Sequence, residues 1–335
     1  MSSTTVSTTD SNPRAKWRTW VKPELGIIPV LAVVVIAGAI VSPAFLSFDN
    51  IFGIAQQTAE LAILVMGLTL VLLTGKFDLS LESIFGLAPM VGAFLFLQLP
   101  NSTTLGLLNS PLLALAAMFA AGALAGAVNG VLVVYLKFNA FIATLATLIL
   151  MRGIAVGISK GETLSSLPEP ITWMGQAQVF GIPFSLIVAV LVLLGLTWFL
   201  KRNRGGRAIY AIGGNSEAAR VAGIRVEQVI FLVFIAAALL ATLAGLLQVG
   251  RIQSIPASLG EGLIFNAFAA AVLGGVSLNG GRGTMLGACG GVLLLVLIQN
   301  VLILAQVPVY WITASTGALI LVALFIARVT GAERN

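Results

Sequence analysis

Long apolar stretches alternate with short polar breaks along this chain. An α-helix needs about 20 mainly apolar residues to cross a bilayer, and most of the stretches approach that length. They predict ten spans, at Gly26–Leu46, Phe52–Thr74, Ser83–Leu99, Pro111–Leu136, Ala140–Ser159, Ile182–Leu200, Val229–Val249, Gly262–Val276, Thr284–Leu304 and Trp311–Ala327. The eighth has only 15 residues and can be broken or partly re-entrant. The pattern indicates an all-α polytopic membrane protein of about ten transmembrane helices, with residues 26–328 as its membrane domain.

Basic residues fall on one side of these spans. With the N-terminus inside, the inside segments hold Arg14, Lys16, Arg18, Lys22, Lys76, Lys137, Lys201, Arg202, Arg204, Arg207, Arg220, Arg225, Arg282, Arg328 and Arg334. Of the 18 Lys and Arg residues, the exceptions are Arg152, Lys160 and Arg251. The positive-inside rule therefore predicts cytoplasmic termini, and it places the loops Lys160–Gly181 and Gly250–Glu261 outside.

Composition narrows the chemistry further. Of 335 residues, 59% are hydrophobic and 9% are charged, whereas soluble domains carry about 25% charged residues. There is no His and one Cys, which excludes a zinc site, a Ser-His-Asp triad and a Cys-His dyad. The net charge of +6 follows from topology and predicts no nucleic-acid partner. Residues 1–25, rich in Ser and Thr, predict a disordered cytoplasmic tail, and 329–335 form a second cytoplasmic tail.

The longest inside loop, residues 201–228, contains the signals of a short capped helix. Asn215 can cap a helix over Ser216–Ala222, Glu217 lies near its positive end, and Gly223 suits the left-handed position that ends it. Two helical turns are unstable alone in water, so this helix needs a partner surface. The loop alternatively serves only to orient the protein. We favour docking of this helix on a partner protein, because a loop that only orients the chain in the membrane needs no capped helix.

The same loop resembles the coupling region of sugar ABC importer permeases, the ribose permease family. The pattern Gly-Arg-x-x-Tyr-Ala-x-Gly-Gly-Asn-x-x-Ala-Ala-x-x-x-Gly-Ile is matched by Gly206, Arg207, Tyr210, Ala211, Gly213, Gly214, Asn215, Ala218, Ala219, Gly223 and Ile224. Three further stretches are similar to the family: 78–80 (Asp-Leu-Ser), 140–145 (Ala-Phe-Ile-Ala-Thr-Leu) and 272–283 (Val-Leu-Gly-Gly-Val-Ser-Leu-Asn-Gly-Gly-Arg-Gly). Order and spacing agree over about residues 25–330.

The resemblance implies a permease subunit of a bacterial inner-membrane importer that moves a monosaccharide or similar small polar solute inward. It implies a homo- or heterodimer, an extracytoplasmic solute-binding protein on the outer loops, and two cytoplasmic ATPase subunits. The chain lacks the phosphate-binding pattern Gly-x-x-x-x-Gly-Lys-Ser/Thr, so we expect no cofactor here, with ATP and Mg²⁺ bound by the partner. The residues expected to couple to the ATPase are Gly213, Gly214, Asn215, Ser216, Glu217, Ala218, Ala219, Arg220 and Gly223.

Polar residues within the spans are the candidates for the solute pathway. A charged group at membrane depth costs about 2.5–3.5 kcal/mol on insertion scales and usually faces a cavity or a partner. Glu60 shares a helical face with Gln56 and Gln57, and Asn266 lies on the eighth span. These four residues are our candidate solute pathway. The alternative for Glu60 is an interhelical hydrogen-bond network with Arg152 as counter-ion.

Two polar turns, 75–82 and 274–283, are candidate structural or gating elements. Asp78 can cap the helix that follows, and the candidates in these turns are Asp78, Ser80, Gly274, Gly275, Gly280 and Gly281. The chain departs from the resembled family at two positions. Glu82 replaces a common Gly, and Ile264-Phe-Asn266 replaces the Glu-Leu-Asp that ribose-like members often have.

Two other functions compete with an ABC permease. One is an ion-coupled secondary transporter that uses Glu60 and Asp78 as coupling residues, although such a protein needs no capped inside helix. The other is an intramembrane enzyme that relies on isolated carboxylates. It has no His and no metal-ligand cluster to support it.

Overall fold

The structure is a computed structural model that describes residues 27–97, 105–107 and 110–329. The tail predicted at 1–25, and all but the first residue of the tail predicted at 329–335, lie outside these residues. The helices, numbered here in chain order, are α1 (Ile27–Val41), α2 (Phe48–Leu73), α3 (Leu81–Phe96), α4 (Pro111–Gly130), α5 (Ala140–Ser159), α6 (Glu169–Gln176), α7 (Phe184–Arg202), α8 (Arg204–Gly214), α9 (Ser216–Val221), α10 (Val226–Ile252), α11 (Leu263–Leu273), α12 (Met285–Leu304) and α13 (Val309–Val329).

Short elements complete the described part of the chain. A 3-10 turn at Pro43–Leu46 follows α1, and a π-helical turn at Val131–Tyr135 extends α4. Strands β1 (Gln178–Val179) and β2 (Ile182–Pro183) form an antiparallel hairpin between α6 and α7, with Val179 opposite Ile182.

The helices fall where the apolar stretches predict them. Among the described residues, six helices are long and apolar enough to cross a membrane: α2, α4 with its π-helical extension, α5, α7, α10 and α12. Shorter apolar helices occupy the four other predicted positions, namely α1, α3, α11 and α13 up to Val322. The chain is thus an all-α polytopic membrane protein.

Helix α2 forms the centre of the bundle. Every residue from Ala59 to Thr74 is buried, and α10 packs against this helix along much of its length. Small residues permit the close approach, because a side chain at Gly67 would lie 3.0 Å from the carbonyl oxygen of Ala237. In lipid, such backbone proximity supplies packing energy that the hydrophobic effect cannot.

The segments predicted inside meet at one end of the bundle, and those predicted outside meet at the other. At the first end, here called the inner end, the amide of Gly281 donates to the carbonyl of Leu73 at 3.0 Å. At the outer end, Leu164 and Ile255 pair as an antiparallel bridge between the two loops predicted outside. These contacts agree with the grouping that the charge pattern predicts, except that Glu82, at the end of the turn 75–82, lies against the outer loop.

Helix α11 is shorter than the predicted eighth span. Its 11 residues extend roughly 16 Å at 1.5 Å per residue, about half of the bilayer core. The loop before it packs against α3, because a side chain at Gly260 would lie 2.6 Å from the carbonyl oxygen of Glu82. The outer loop therefore reaches the first turn of α3, and α11 starts there.

Candidate functional site

The short helix α9 has the predicted caps. The side chain of Asn215 accepts a hydrogen bond from the amide of Ala218 at 2.9 Å. After the last turn, Gly223 has φ +83° and donates to Arg220, while Ile224 donates to Ala219. These two bonds form a Schellman motif, which satisfies carbonyls at the helix end. The helix ends at Val221, one residue earlier than predicted.

The preceding segment, expected to be a loop, is helix α8. Asn203 caps it by accepting from the amide of Gly205 at 2.9 Å. Four of its 11 residues are Gly, each costing about 1 kcal/mol relative to Ala, so local preference opposes this helix. Burial of Ile209 and Ile212 overrides that preference. Their spacing, together with the Asn cap, is the signal that sequence reasoning missed.

Three backbones meet at the end of α8, in what we call the glycine junction: Leu73–Gly75, Gly213 and Gly280–Gly281. A side chain at Gly213 would collide with the Leu73 carbonyl and the Gly281 amide. A side chain at Gly280 would lie 2.7 Å from the amide nitrogen of Gly75. The hydroxyl of Tyr210 adds a hydrogen bond to the carbonyl of Gly283 at 2.9 Å. The junction fixes α8 against the end of α2 and the turn before α12.

The exposed side of α9 borders an inner pocket of about 560 Å³. Basic side chains from three segments line it: Lys76, Lys137 and Arg220. Arg220 lies 2.7 Å from the Glu227 carboxylate. Of the residues predicted to couple, Ser216, Glu217, Ala218 and Arg220 are exposed, whereas Ala219 is buried against the bundle. The inner end thus offers a polar surface around an exposed, capped helix.

At membrane depth, Glu60 forms a bidentate ion pair with Arg251. The Nε of Arg251 donates to Oε1 at 2.7 Å and its Nη2 donates to Oε2 at 2.9 Å. The expectation that Arg152 is the counter-ion of Glu60 is therefore wrong. Arg251, expected in an outer loop, lies in the last turn of α10, which carries it over α2.

A cavity of about 140 Å³ lies beside this ion pair. Its polar lining consists of Gln57, Glu60, Gln248, Arg251, Asn266 and Gln299. Three of the four candidate pathway residues therefore line one cavity. Gln56 does not, because its amide donates to the carbonyl of Gly175 at 2.9 Å. Gln248 was not predicted, although it is the one amide within the predicted seventh span, and that place in an apolar stretch was the available signal.

A wider groove adjoins this cavity, with Asn266 and Gln299 lining both. It measures about 480 Å³ and lies between α11, α12 and α13. Its other polar residues are Glu261, Thr313 and Thr316. Together the cavity and the groove form a polar region beside the outer half of the bundle.

Asp78 does not cap α3 directly. Ser80 occupies the cap position, and one Asp78 carboxylate oxygen accepts from both the Ser80 amide and its hydroxyl. Asn129 then donates to the Ser80 hydroxyl oxygen at 2.6 Å. The turn before α3 is thus tied to α4. The other candidate turn is held similarly: Gly274 and Gly275 follow α11, and a side chain at Gly274 would collide with Gly287 of α12.

The two departures from the resembled family touch each other. One oxygen of the Glu82 carboxylate accepts from the Ile264 amide at 3.2 Å, and the other lies 2.7 Å from the Arg152 guanidinium. Two of the three basic residues that break the charge rule, Arg152 and Arg251, thus pair with carboxylates that are almost fully buried.

A bundle of apolar helices with a polar cavity at membrane depth and an exposed, capped helix at one end is a membrane permease in architecture. Comparison with known proteins agrees. The chain belongs to the family described as the branched-chain amino acid transport system / permease component, whose family model matches residues 50–327. No solved structure matches it.

Individual relatives cover nearly the whole chain. The ribose import permease protein RbsC of Escherichia coli is 35% identical over 322 residues, 95% of this chain and 97% of that protein. The autoinducer 2 import system permease protein LsrC of Enterobacter sp. is 38% identical over 295 residues, 87% of this chain and 83% of that protein. A probable ABC transporter permease protein, y4mJ of Sinorhizobium fredii, is 32% identical and covers 94% of this chain and 92% of its own. The resemblance to ABC importer permeases is confirmed, and the ion-coupled alternative is not favoured.

Proposed function

We propose that this chain carries a neutral monosaccharide, or a similar small polar solute, inward through the bacterial inner membrane. The names of its relatives support a sugar-like solute, although the family description names amino acids. The lining of the cavity supports a sugar-like solute. Of its lining residues in the described part of the chain, Glu60 and Arg251 neutralise each other, and the remaining polar groups are amides. Amide side chains suit the hydroxyl groups of a sugar better than they suit the ammonium and carboxylate groups of an amino acid.

Energy comes from two cytoplasmic ATPase subunits that bind ATP and Mg²⁺ and receive α9 in a cleft. The observation that carries this proposal is that α9 directly follows α8, whose end at Gly213 is packed into the glycine junction. The junction touches the end of α2, which bears Gln57 and Glu60. It also touches the turn that follows α11, and α11 is the helix that bears Asn266. A movement of α9 in the ATPase cleft can therefore shift both helices that line the cavity and bias the permease between inward- and outward-open states.

A second permease copy, identical or related, covers the groove between α11, α12 and α13. Polar groups cannot face lipid without large cost, because the bilayer core supplies no hydrogen-bond partners. The groove carries the Glu261 carboxylate and the Asn266 amide on an open face of the single chain. The extracytoplasmic solute-binding protein docks on the outer loops, and both termini are cytoplasmic.

Changes on the exposed surface formed by α9 and the end of α8 are expected to uncouple transport. We expect Glu217→Ala and Gly214→Ala each to reduce uptake at least tenfold without reducing the amount of folded permease. The Glu217 side chain is 79% exposed and lies 3.8 Å from Arg220, a surface pair worth about 0–1 kcal/mol. No atom lies within 4 Å of a Cβ placed at Gly214. Both substitutions therefore alter the docking surface without disturbing packing within the permease.

The measurement is solute uptake beside the quantity of permease in membranes. Gly195→Ala is the matched control, because a Cβ added at Gly195 also has no atom within 4 Å, but this residue lies on α7, away from α9. Normal uptake by both Glu217→Ala and Gly214→Ala would contradict the docking role of this surface.

The solute class is tested with cells that hold the complete importer. Uptake of labelled ribose, other neutral sugars and leucine is compared between cells with the chain and cells without it. We expect uptake of at least one neutral sugar to be lost with the chain while leucine uptake persists. Loss of leucine uptake with every sugar still entering would contradict the proposal.

A further inference from the structure

A second ion pair, separate from Glu60 and Arg251, lies where three elements meet. Glu82 is in the first turn of α3 and its side chain is 7% exposed, while Arg152 of α5 is 18% exposed. Their closest atoms, Oε1 and Nη2, are 2.7 Å apart. Such a pair is expensive to bury in a membrane protein, so its position calls for a role beyond packing.

The free oxygen of Glu82 acts on α11. It accepts a hydrogen bond from the amide of Ile264, one of the first amides of that helix. The cap position of α11 is Gly262, which has no side chain to accept from these amides. A carboxylate from another helix therefore replaces the usual cap, and it also suits the positive end of the helix.

Arg152 holds the loop that leads into the same helix. Its Nη1 donates to the carbonyl of Ser258 at 3.2 Å and lies 3.9 Å from the Glu261 carboxylate. The loop also packs tightly on α3, because a side chain at Gly86 would collide with the carbonyl of Leu259. The pair thus fixes both the last residues of the loop and the first residues of α11.

We propose that Glu82 and Arg152 are positioning residues that hold the first turn of α11, and with it Asn266, in the place the solute cavity requires. Asn266 lies two residues after Ile264 and lines both the cavity and the groove. Neither Glu82 nor Arg152 lines either space, so they act through α11. This inference rests on the proposed solute pathway.

The chain offers a clean reporter because it contains one Cys. In a Cys289→Ser background, either Asn266→Cys on α11 or Gln57→Cys on α2 reports on the cavity. The purified complete importer is exposed to a water-soluble maleimide, and labelling rates are compared with and without Glu82→Gln or Arg152→Gln. The matched control is Ser83→Ala, which removes a 2.8 Å hydrogen bond from α3 to the Leu148 carbonyl of α5, whereas no hydrogen bond among the described residues joins the Ser83 side chain to α11.

We expect Glu82→Gln and Arg152→Gln to change labelling at position 266 at least fivefold and to leave position 57 within twofold. Ser83→Ala should change neither. Equal changes at both positions would show a general loosening of the bundle and overturn the positioning role, as would an unchanged rate at 266. If neither cysteine reacts in any variant, water does not reach the cavity, and the solute pathway itself fails.

Discussion

Arg251→Ala is expected to reduce solute uptake to near background and to lower the thermal stability of the purified permease. The substitution leaves the Glu60 carboxylate, with a side chain 5% exposed, without its bidentate partner at membrane depth. Removing one member of a buried pair costs about 3–5 kcal/mol in soluble proteins, because an uncompensated charge remains buried. Uptake and detergent melting of the variant measure the two effects.

The double variant Glu60→Gln/Arg251→Gln separates a structural role from a pathway role. Two neutral amides bury no charge, so the stability lost in Arg251→Ala should largely return. If the pair lines the solute pathway, uptake stays at least tenfold low although the protein folds. Recovery of both stability and uptake would make Glu60 and Arg251 structural residues and would remove them from the pathway.

Gly213→Ala is expected to abolish uptake almost completely. A Cβ at this position overlaps the Leu73 carbonyl and approaches the Cα of Gly281 to 3.0 Å, so α8 must move away from the junction. Those neighbours are backbone atoms and cannot rotate aside. The link from α9 to the helices that line the cavity is then broken.

The adjacent residue makes this test specific. Gly214 lies in the same helix turn but has open space where a side chain would go. We expect Gly214→Ala to leave the melting temperature of the isolated permease unchanged and Gly213→Ala to lower it. Equal melting temperatures for Gly213→Ala and the unmodified chain, together with normal uptake, would contradict a role for the junction.

Local signals in the sequence predicted much of this molecule. Apolar stretches located the helices, and the cap residues Asn215 and Gly223 located α9 within one residue, because both features depend on residues near in sequence. Helix α8 was missed because its glycines oppose helix formation, and much of its stability comes from contacts with distant elements, such as the burial of Ile209 and Ile212.

The ion pairs show where sequence reasoning fails. Glu60 and Arg251 are 191 positions apart, and no local pattern links them. Arg152 does not pair with Glu60, because α5 packs against α3 and places Arg152 beside Glu82 instead. The available clue was that Arg152 and Arg251 break the charge rule, which marks them as residues held by a partner rather than by topology.

The proposed function requires that a separate ATPase drive α9. This requirement is tested by reconstituting the purified chain in liposomes, alone and with its ATPase subunits and binding protein, and measuring accumulation of labelled solute. We predict accumulation only in the complete system, and only with ATP on the side of the ATPase. Accumulation by the chain alone, driven by a proton or sodium gradient, would contradict a separate drive.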